Sequence, residues 1–365
     1  MTDLAPPDLS KPLRIAEVEG GYVVPPAKGL GNQSVQKSGV LDADGRLVPE
    51  SVTWRGRTQV TTAPALPDEA EALEGTWLFL GPLFGHFGHF LVESIARIWA
   101  LDAVRDRIAG ALYVPKFQNR PQYVMDTYRP FLRALGVDVE VRNVEDPTRV
   151  ERVLVPEQGF GMFQMIEGSR EFRDFIGRHA GKDVEPAGDE RIYVSRSALP
   201  PQRGSVVGED VLEARLRAEG YTVYHPQQHD HLEQIAAYKA AKDVIGVDCS
   251  PLHLLALVGN AEQNVGIIAR RAGELDKIFE RQIAAFTGAK ATGIDHLRRN
   301  WIEESGNRPS RTSRGEVDFA ALGRSLSEAG LISDGDWDDL TPEEIEADIA
   351  RTAEAAGQGY KPYEG

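Results

Sequence analysis

The sequence predicts an α/β fold built on two mostly parallel sheets. Two observations carry this expectation. Short apolar runs alternate with amphipathic ones in two successive blocks, the pattern of strands joined by crossover helices. A polar stretch from Gly181 to Glu190, broken by Pro186 and Gly188, lies between the blocks and marks a linker. At 365 residues the chain is long enough for two cores.

Taken in order, residues 20–65 are β- and turn-rich, and Asp44-Gly45 between apolar positions reads as a hairpin turn. The first alternating block offers strands at 76–80, 111–115, 137–142 and 150–155, with helices at 88–105, 122–135 and 169–179. The second block is more regular. Strand 191–195 leads to helix 208–219, strand 221–225 to helix 232–241, strand 243–248 to helix 251–258, and strand 264–269 to helix 273–286. This alternation predicts a Rossmann-like domain with ligands at the carboxyl ends of its strands. A polar loop at 303–314 precedes two tail helices, 316–329 and 342–356. Thr341, Pro342 and Glu344 supply the N-cap, first-turn proline and capping box of the second. Asp334–Asp339 is acid-rich but lacks the glycine and ligand spacing of a calcium loop. The expected division is an α/β domain with a β-rich start at 1–180, a Rossmann-like domain at 181–300, and a helical tail at 301–365 that acts as a docking or interaction appendage.

A composition of 41% hydrophobic and 27% charged residues is ordinary for a soluble globular protein. The net charge of −15 argues against nucleic acid and anionic membrane as main partners. A lone cysteine, Cys249, allows no intrachain disulfide and fits a reducing compartment. Met1–Lys11 has no apolar signal core, and apolar runs such as Leu252–Val258 are too short to span a bilayer. These features predict a cytoplasmic protein without an integral membrane segment and leave peripheral membrane contact open.

Three constellations carry chemistry. The first lies in Gly85-His86-Phe87-Gly88-His89-Phe90-Leu91-Val92-Glu93-Ser94, after the strand-like Thr76–Leu80. At about 100° per residue, His86, His89, Glu93 and Arg97 share one polar arc, opposite Leu91, Ile95, Ile98 and Trp99. An imidazole beside a carboxylate is a general base at neutral pH; the other readings are helix capping, a bond to a core carbonyl, or a zinc site. The second is Arg191-Ile192-Tyr193-Val194-Ser195-Arg196 with Arg203 seven residues on. Two guanidiniums past a strand can hold a diphosphate, or simply be solvated or paired with Glu209. The third runs from Val244 through Gly246, Asp248, Cys249, Ser250 and Pro251 to His253. Here Ser250 is expected to cap a helix whose start offers amides to a phosphate, with His253 in reach, and Cys249 is expected to be a small packed thiol. His225, His229 and His231 with Asp230 read as a solvated loop, a metal site being the other option.

These segments, in this order, resemble glycosyltransferase family 61. His89-Phe90-Leu91-Val92-Glu93 matches its His-(Phe/Trp)-Leu-x-Glu element, and Arg191–Arg196 with Arg203 its (Arg/Lys)-x-Tyr-x-Ser-Arg strand. Glu209 matches an acidic position, Glu233-Gln234-Ile235 a helix-opening element, and Gly246, Ser250, Leu252 and His253 a Gly-x-x-Gly-(Ser/Ala)-x-Leu-(His/Thr) turn. The resemblance covers about 75–270. Cys249 stands where that family usually has glycine, and Asp248 where many members have histidine. Asp42-Ala43-Asp44 has the Asp-x-Asp spacing of metal-dependent sugar transferases but reads as a solvated turn.

The resemblance implies a GT-B architecture, two Rossmann-like domains facing a cleft, and an inverting glycosyltransferase that needs no bound metal or other cofactor. Its partners would be a nucleotide-sugar donor on the second domain and a glycan acceptor on the first, in surface or capsular polysaccharide synthesis. The expected catalytic residues are His89, Glu93 and His86, with either His89 or Glu93 as base. The expected donor-binding residues are Arg196, Arg203, Ser250, His253, Asp248 and Glu233. Other readings are a nucleotide-sugar hydrolase or epimerase on the same fold, a non-catalytic glycan-binding or assembly subunit, and, more distantly, a metal hydrolase.

Overall fold

The computed structural model describes residues 4–29, 33–117 and 119–363. Met1–Asp3 of the acidic N-terminal stretch, residues 30–32 of the β-rich start, and the last two residues of the expected tail lie outside them. The chain divides into two compact units after Asp183, inside the expected linker.

The first unit is built on one seven-stranded mixed sheet. Its strands are β1 (Ile15–Glu19), β2 (Tyr22–Val24), β3 (Gly39–Leu41), β4 (Glu71–Leu83), β5 (Gly110–Pro115), β6 (Val141–Asn143) and β7 (Thr148–Pro156). The spatial order is β6-β5-β4-β7-β2-β3, with β1 also on β7. The first four of these run parallel, while β1 and β2 lie antiparallel to β7. Trp77, Phe79, Leu112, Val114, Val153 and Val155 form the core on this sheet. Helices α1 (Pro121–Ala134) and α2 (Arg170–His179) bury Phe131, Leu132, Phe172 and Phe175.

Two expectations change here. Strand 137–142 shrinks to Val141–Asn143, because residues 135–137 complete α1 instead. The Gly136 amide bonds to Arg133 O and the Val137 amide to Leu132 O, closing the helix around Gly136 at φ +92°. The expected helix 88–105 is a series of short, irregular turns.

The second unit holds a five-stranded, all-parallel sheet of β8 (Arg191–Val194), β9 (Thr222–Tyr224), β10 (Asp243–Val247), β11 (Asn264–Ile268) and β12 (Lys290–Ile294), in the order β9-β8-β10-β11-β12. Its crossover helices are α3 (Glu209–Ala218), α4 (His231–Ala240), α5 (Pro251–Val258) and α6 (Leu275–Thr287). The strand order reverses between β8 and β10, so the crevice that binds ligands on such sheets lies outside the carboxyl ends of those two strands.

The expected tail is part of this unit. After β13 (Leu297–Glu303), Arg314–Val317 is a strand, β14, where a helix start was expected. It pairs with β13, as does β15 (Tyr360–Pro362). Helices α7 (Phe319–Glu328) and α8 (Pro342–Ala356) follow β14. The physical reason is apolar area. Val317, Phe319, Leu322, Leu326, Leu331, Ile349 and Tyr360 share one core with Tyr193, Leu212 and Ile245, and this continuous burial binds residues 301–363 to the Rossmann-like sheet. Among the described residues no helix is long and apolar enough to cross a membrane.

Candidate functional site

The first constellation grows from the carboxyl end of β4. Phe87–His89 makes one α-turn and Phe90–Ser94 a wider π-turn, an irregularity that recurs at functional sites. Bonds from other elements break the helix. Ser94 Oγ accepts the Phe84 amide at 2.9 Å, and the Ser94 carbonyl accepts the Tyr113 hydroxyl at 3.0 Å. His89 and Glu93 still meet, with Nδ1 2.6 Å from Oε2. Glu93 is fully buried, and Arg55 clamps it in a fork, Nε to Oε1 at 3.0 Å and Nη2 to Oε2 at 2.9 Å. Burial alone would push this carboxyl up, but hydrogen bonds from His89 and Arg55 and the Arg55 charge hold it below its ordinary value. An ionised Glu93 accepts the Nδ1 proton, which makes Nε2 the basic nitrogen of His89, a residue 35% exposed.

Arg55 is held in place from below. Gln158 bonds both backbone groups of Trp54, at 2.7 and 3.0 Å. Arg97 is wholly buried and donates to Pro156 O at 2.9 Å, Val52 O at 2.8 Å and Glu50 O at 3.0 Å. Expected on a polar arc with the histidines, Arg97 is instead a strut that ties residues 50–53 to the sheet. Burial lowers it to about 10, so it stays charged at neutral pH. His86 is exposed, edge-on to the His89 ring at 5.3 Å, and Phe84 stacks on His89 at 5.4 Å. Lys116, just past β5, donates to Gln33 O at 2.8 Å; burial and the Arg55 charge lower it to about 8, against the pull of Glu93. Among the described residues no three His, Cys, Asp or Glu side chains converge as a metal-ligand set. Glu93 is already bonded to His89 and Arg55, which disfavours the zinc option.

The second constellation sits at the β8/β10 reversal. Buried Glu209 accepts the Tyr193 hydroxyl at 2.9 Å, the Arg196 amide at 2.8 Å and the Ser205 hydroxyl, fixing the loop after β8. The Arg196 guanidinium donates to Gly204 O at 2.9 Å and to Arg203 O, while the Arg203 side chain is exposed. This loop and residues Arg314, Asp348 and Arg351 line a cavity of about 230 Å³. Asp248, just past β10, is buried against two arginines that follow β11. Arg270 Nε lies 3.2 Å and Arg271 Nε 3.5 Å from Asp248 Oδ1, and the Arg270 amide donates to Oδ2 at 2.9 Å. Burial pushes the Asp248 carboxyl up, while Arg270 and Arg271 pull it back.

The remaining expected donor residues are engaged in the fold. Ser250 does not cap α5: its own backbone is already helical and its side chain makes no cap bond. The Leu252 and His253 amides bond back to Cys249 O and Ser250 O, so the helix start is less open to an anion than expected. His253 Nδ1 lies 2.5 Å from Gln282 Oε1 and its ring packs on Phe279, which draws it towards α6. Glu233 closes a capping box with Asp230 at the start of α4. Burial raises the Cys249 thiol to about 11, as suits a packed, unreactive group. His229 stacks on Tyr224, and Asp42 accepts the Asp44 and Arg46 amides in a plain turn.

With this geometry in hand, comparison with known families finds that the glycosyltransferase 61 model matches residues 87–267. Curated protein sequences gave no match. Among solved structures, the chain is similar to the iron-containing dodecameric glycosyltransferase TibC of enterotoxigenic E. coli, at 12% identity over 66% of this chain and 65% of that one, with a TM-score of 0.28. The chain thus spans about two thirds of that relative's length. TibC described as a heptosyltransferase in complex with ADP-D-beta-D-heptose is similar at 12% identity over 72% and 79%, with a TM-score of 0.31. Likenesses this slight add nothing to the chemistry of the site.

Proposed function

We propose that this chain, whose residues 87–267 match the glycosyltransferase 61 model, is a glycosyltransferase that moves a sugar with inversion from a nucleotide-sugar donor to a glycan hydroxyl. It does so without a metal ion, in the cytoplasm, as a step in making a surface or capsular polysaccharide. In this GT-B reading the acceptor binds the first unit and the donor the second. The observation that carries it is the Arg55–Glu93–His89 chain.

His89 Nε2 removes the acceptor hydroxyl proton as that oxygen attacks the anomeric carbon. The bond from that carbon to the diphosphate oxygen breaks, and its electron pair leaves with the nucleoside diphosphate. Glu93 orients His89 and stabilises the imidazolium. Arg55 keeps Glu93 ionised and bonded, which favours His89 over Glu93 as the base. His86 lines the acceptor side. Arg196 and Arg203 supply positive charge to the leaving diphosphate. Ser250, His253 and Glu233 support the architecture around the donor, and Asp248 orders the arginines beside it.

The test is His89→Ala, assayed for sugar transfer and for donor binding. Turnover should fall about 10²–10⁴-fold while donor affinity holds. A variant that keeps its turnover, or that loses donor binding instead, refutes this assignment.

A further inference from the structure

We propose that Arg270 and Arg271, together with Arg196, form a diphosphate cradle organised by Asp248 at the carboxyl edge of the second sheet. Sequence reasoning singled out neither Arg270 nor Arg271, and both lie just past the family match at 87–267. The inference rests on the nucleotide-sugar reading given above.

Position is the first argument. Arg196 follows β8, Asp248 follows β10, and Arg270 and Arg271 follow β11, three neighbouring strands that include the reversal point. Arg196 is close enough to act electrostatically on both Asp248 and Arg270. Hydrogen bonding is the second. The Arg270 side chain is 4% exposed, and its Nε is tied to Asp248 O at 3.0 Å. Its Nη1 is buried with no hydrogen-bond partner, while Arg271 Nε has only the 3.5 Å ion-pair contact with Asp248 Oδ1. A buried guanidinium N–H without an acceptor is costly, and an anionic oxygen supplies what it lacks. Charge is the third. One carboxylate, Asp248, contacts two guanidiniums and feels the charge of a third, Arg196, which leaves a local positive excess in a chain of net charge −15.

The residues around the cradle hold it rigid. Asn300 of β13 donates to Arg270 O at 3.0 Å and accepts the Ala272 amide at 3.2 Å. Gly315 of β14 packs so closely that a Cβ there would lie 2.3 Å from Arg270 O. Planar, forked guanidiniums fit paired phosphoryl oxygens, so two phosphates in tandem suit this set better than one. Asp248 then has a definite task, since a histidine there would not hold two arginines in register.

The experiment is titration calorimetry on the full chain with UDP, GDP, ADP and inorganic pyrophosphate. It compares the wild type with Arg271→Gln, chosen because Arg271 is partly exposed and its loss should leave the fold intact, as circular dichroism would verify. At least one diphosphate should bind the wild type, and Arg271→Gln should weaken it tenfold or more, inorganic pyrophosphate included. Unchanged affinity in the variant, or no binding of any of the four probes, overturns the cradle. A parallel transfer assay separates the two ideas. Turnover with a donor KM that Arg271→Gln leaves unaltered sinks the cradle and spares the nucleotide-sugar reading. Pyrophosphate binding that depends on Arg271, with no nucleotide sugar consumed, does the reverse.

Discussion

Replacing Arg55 with Met tests the chain of interactions at Glu93 most directly. Glu93 is wholly buried, and Arg55 provides two of its three side-chain hydrogen bonds. Stranding one member of a buried ion pair costs about 3–5 kcal/mol. Arg55 is 30% exposed, so water partly replaces it and the expected loss is about 2–3 kcal/mol. In a unit of this size that lowers Tm by about 5–10 °C. The pH dependence follows from linkage. In the wild type the folded Glu93 sits below its ordinary 4.5, so it contributes stability above that pH and loses it as pH falls through the depressed value. In the variant burial prevails, the carboxyl rises, and a buried charge penalises the fold at neutral pH. The gap between the two proteins should therefore be widest near pH 7 and narrow as the solution is made acidic. Urea unfolding at pH 7 and pH 4 measures both quantities. A loss under about 1 kcal/mol, or an equal loss at the two pH values, would show that Arg55 does not sustain the Glu93 charge.

Two further outcomes follow from the second unit. Leu326→Ala, at a fully buried position of α7, should cost about 2–5 kcal/mol. It should also speed hydrogen exchange at the amides of Tyr193 and Ile245, and an effect confined to residues after 300 would mean that the tail is a separate body. Gly315→Ala should cost about 1–3 kcal/mol by pushing its Cβ against the Arg270 carbonyl. An unchanged denaturant midpoint would contradict that close approach.

The second unit was the more legible in sequence because its signals are local. Pro251–Val258 matches the expected helix at both ends, and Thr341 marks a helix start by capping chemistry that a short segment contains in full. The first unit was less so. Helical periodicity put His89 and Glu93 together correctly, but the turn is broken by Phe84 and Tyr113, whose bonds no local window contains. Arg55 lies 38 residues from Glu93, in a short strand whose neighbours carry no motif. Arg270 and Arg271 belong to no motif that the sequence displays. The unusual aspartate at 248 was the signal that could have led to them, since a buried carboxylate needs a cation. The partner of His253 was equally hidden, since Gln282, which meets its imidazole, lies a full helix away. The strands at Leu297–Glu303 and Tyr360–Pro362 carry little sequence signal, because the first opens on exposed arginines and the second is only three residues long.

The pairing of Tyr360–Pro362 with Trp301–Glu303 also bears on how the protein is born. Ribosomes deliver about 5–20 residues per second, and domains generally fold as they emerge, N-terminal first. All strands of the first sheet are out by Pro156, so that unit can close early. The sheet carrying Tyr193 and Ile245 waits for Phe319, Leu326, Ile349 and Tyr360 to cover it. For roughly several seconds a nascent chain displays that apolar surface, the interval in which it is most prone to aggregate. A product released early would lack that cover and, with it, the Asn300 and Gly315 packing behind Arg270.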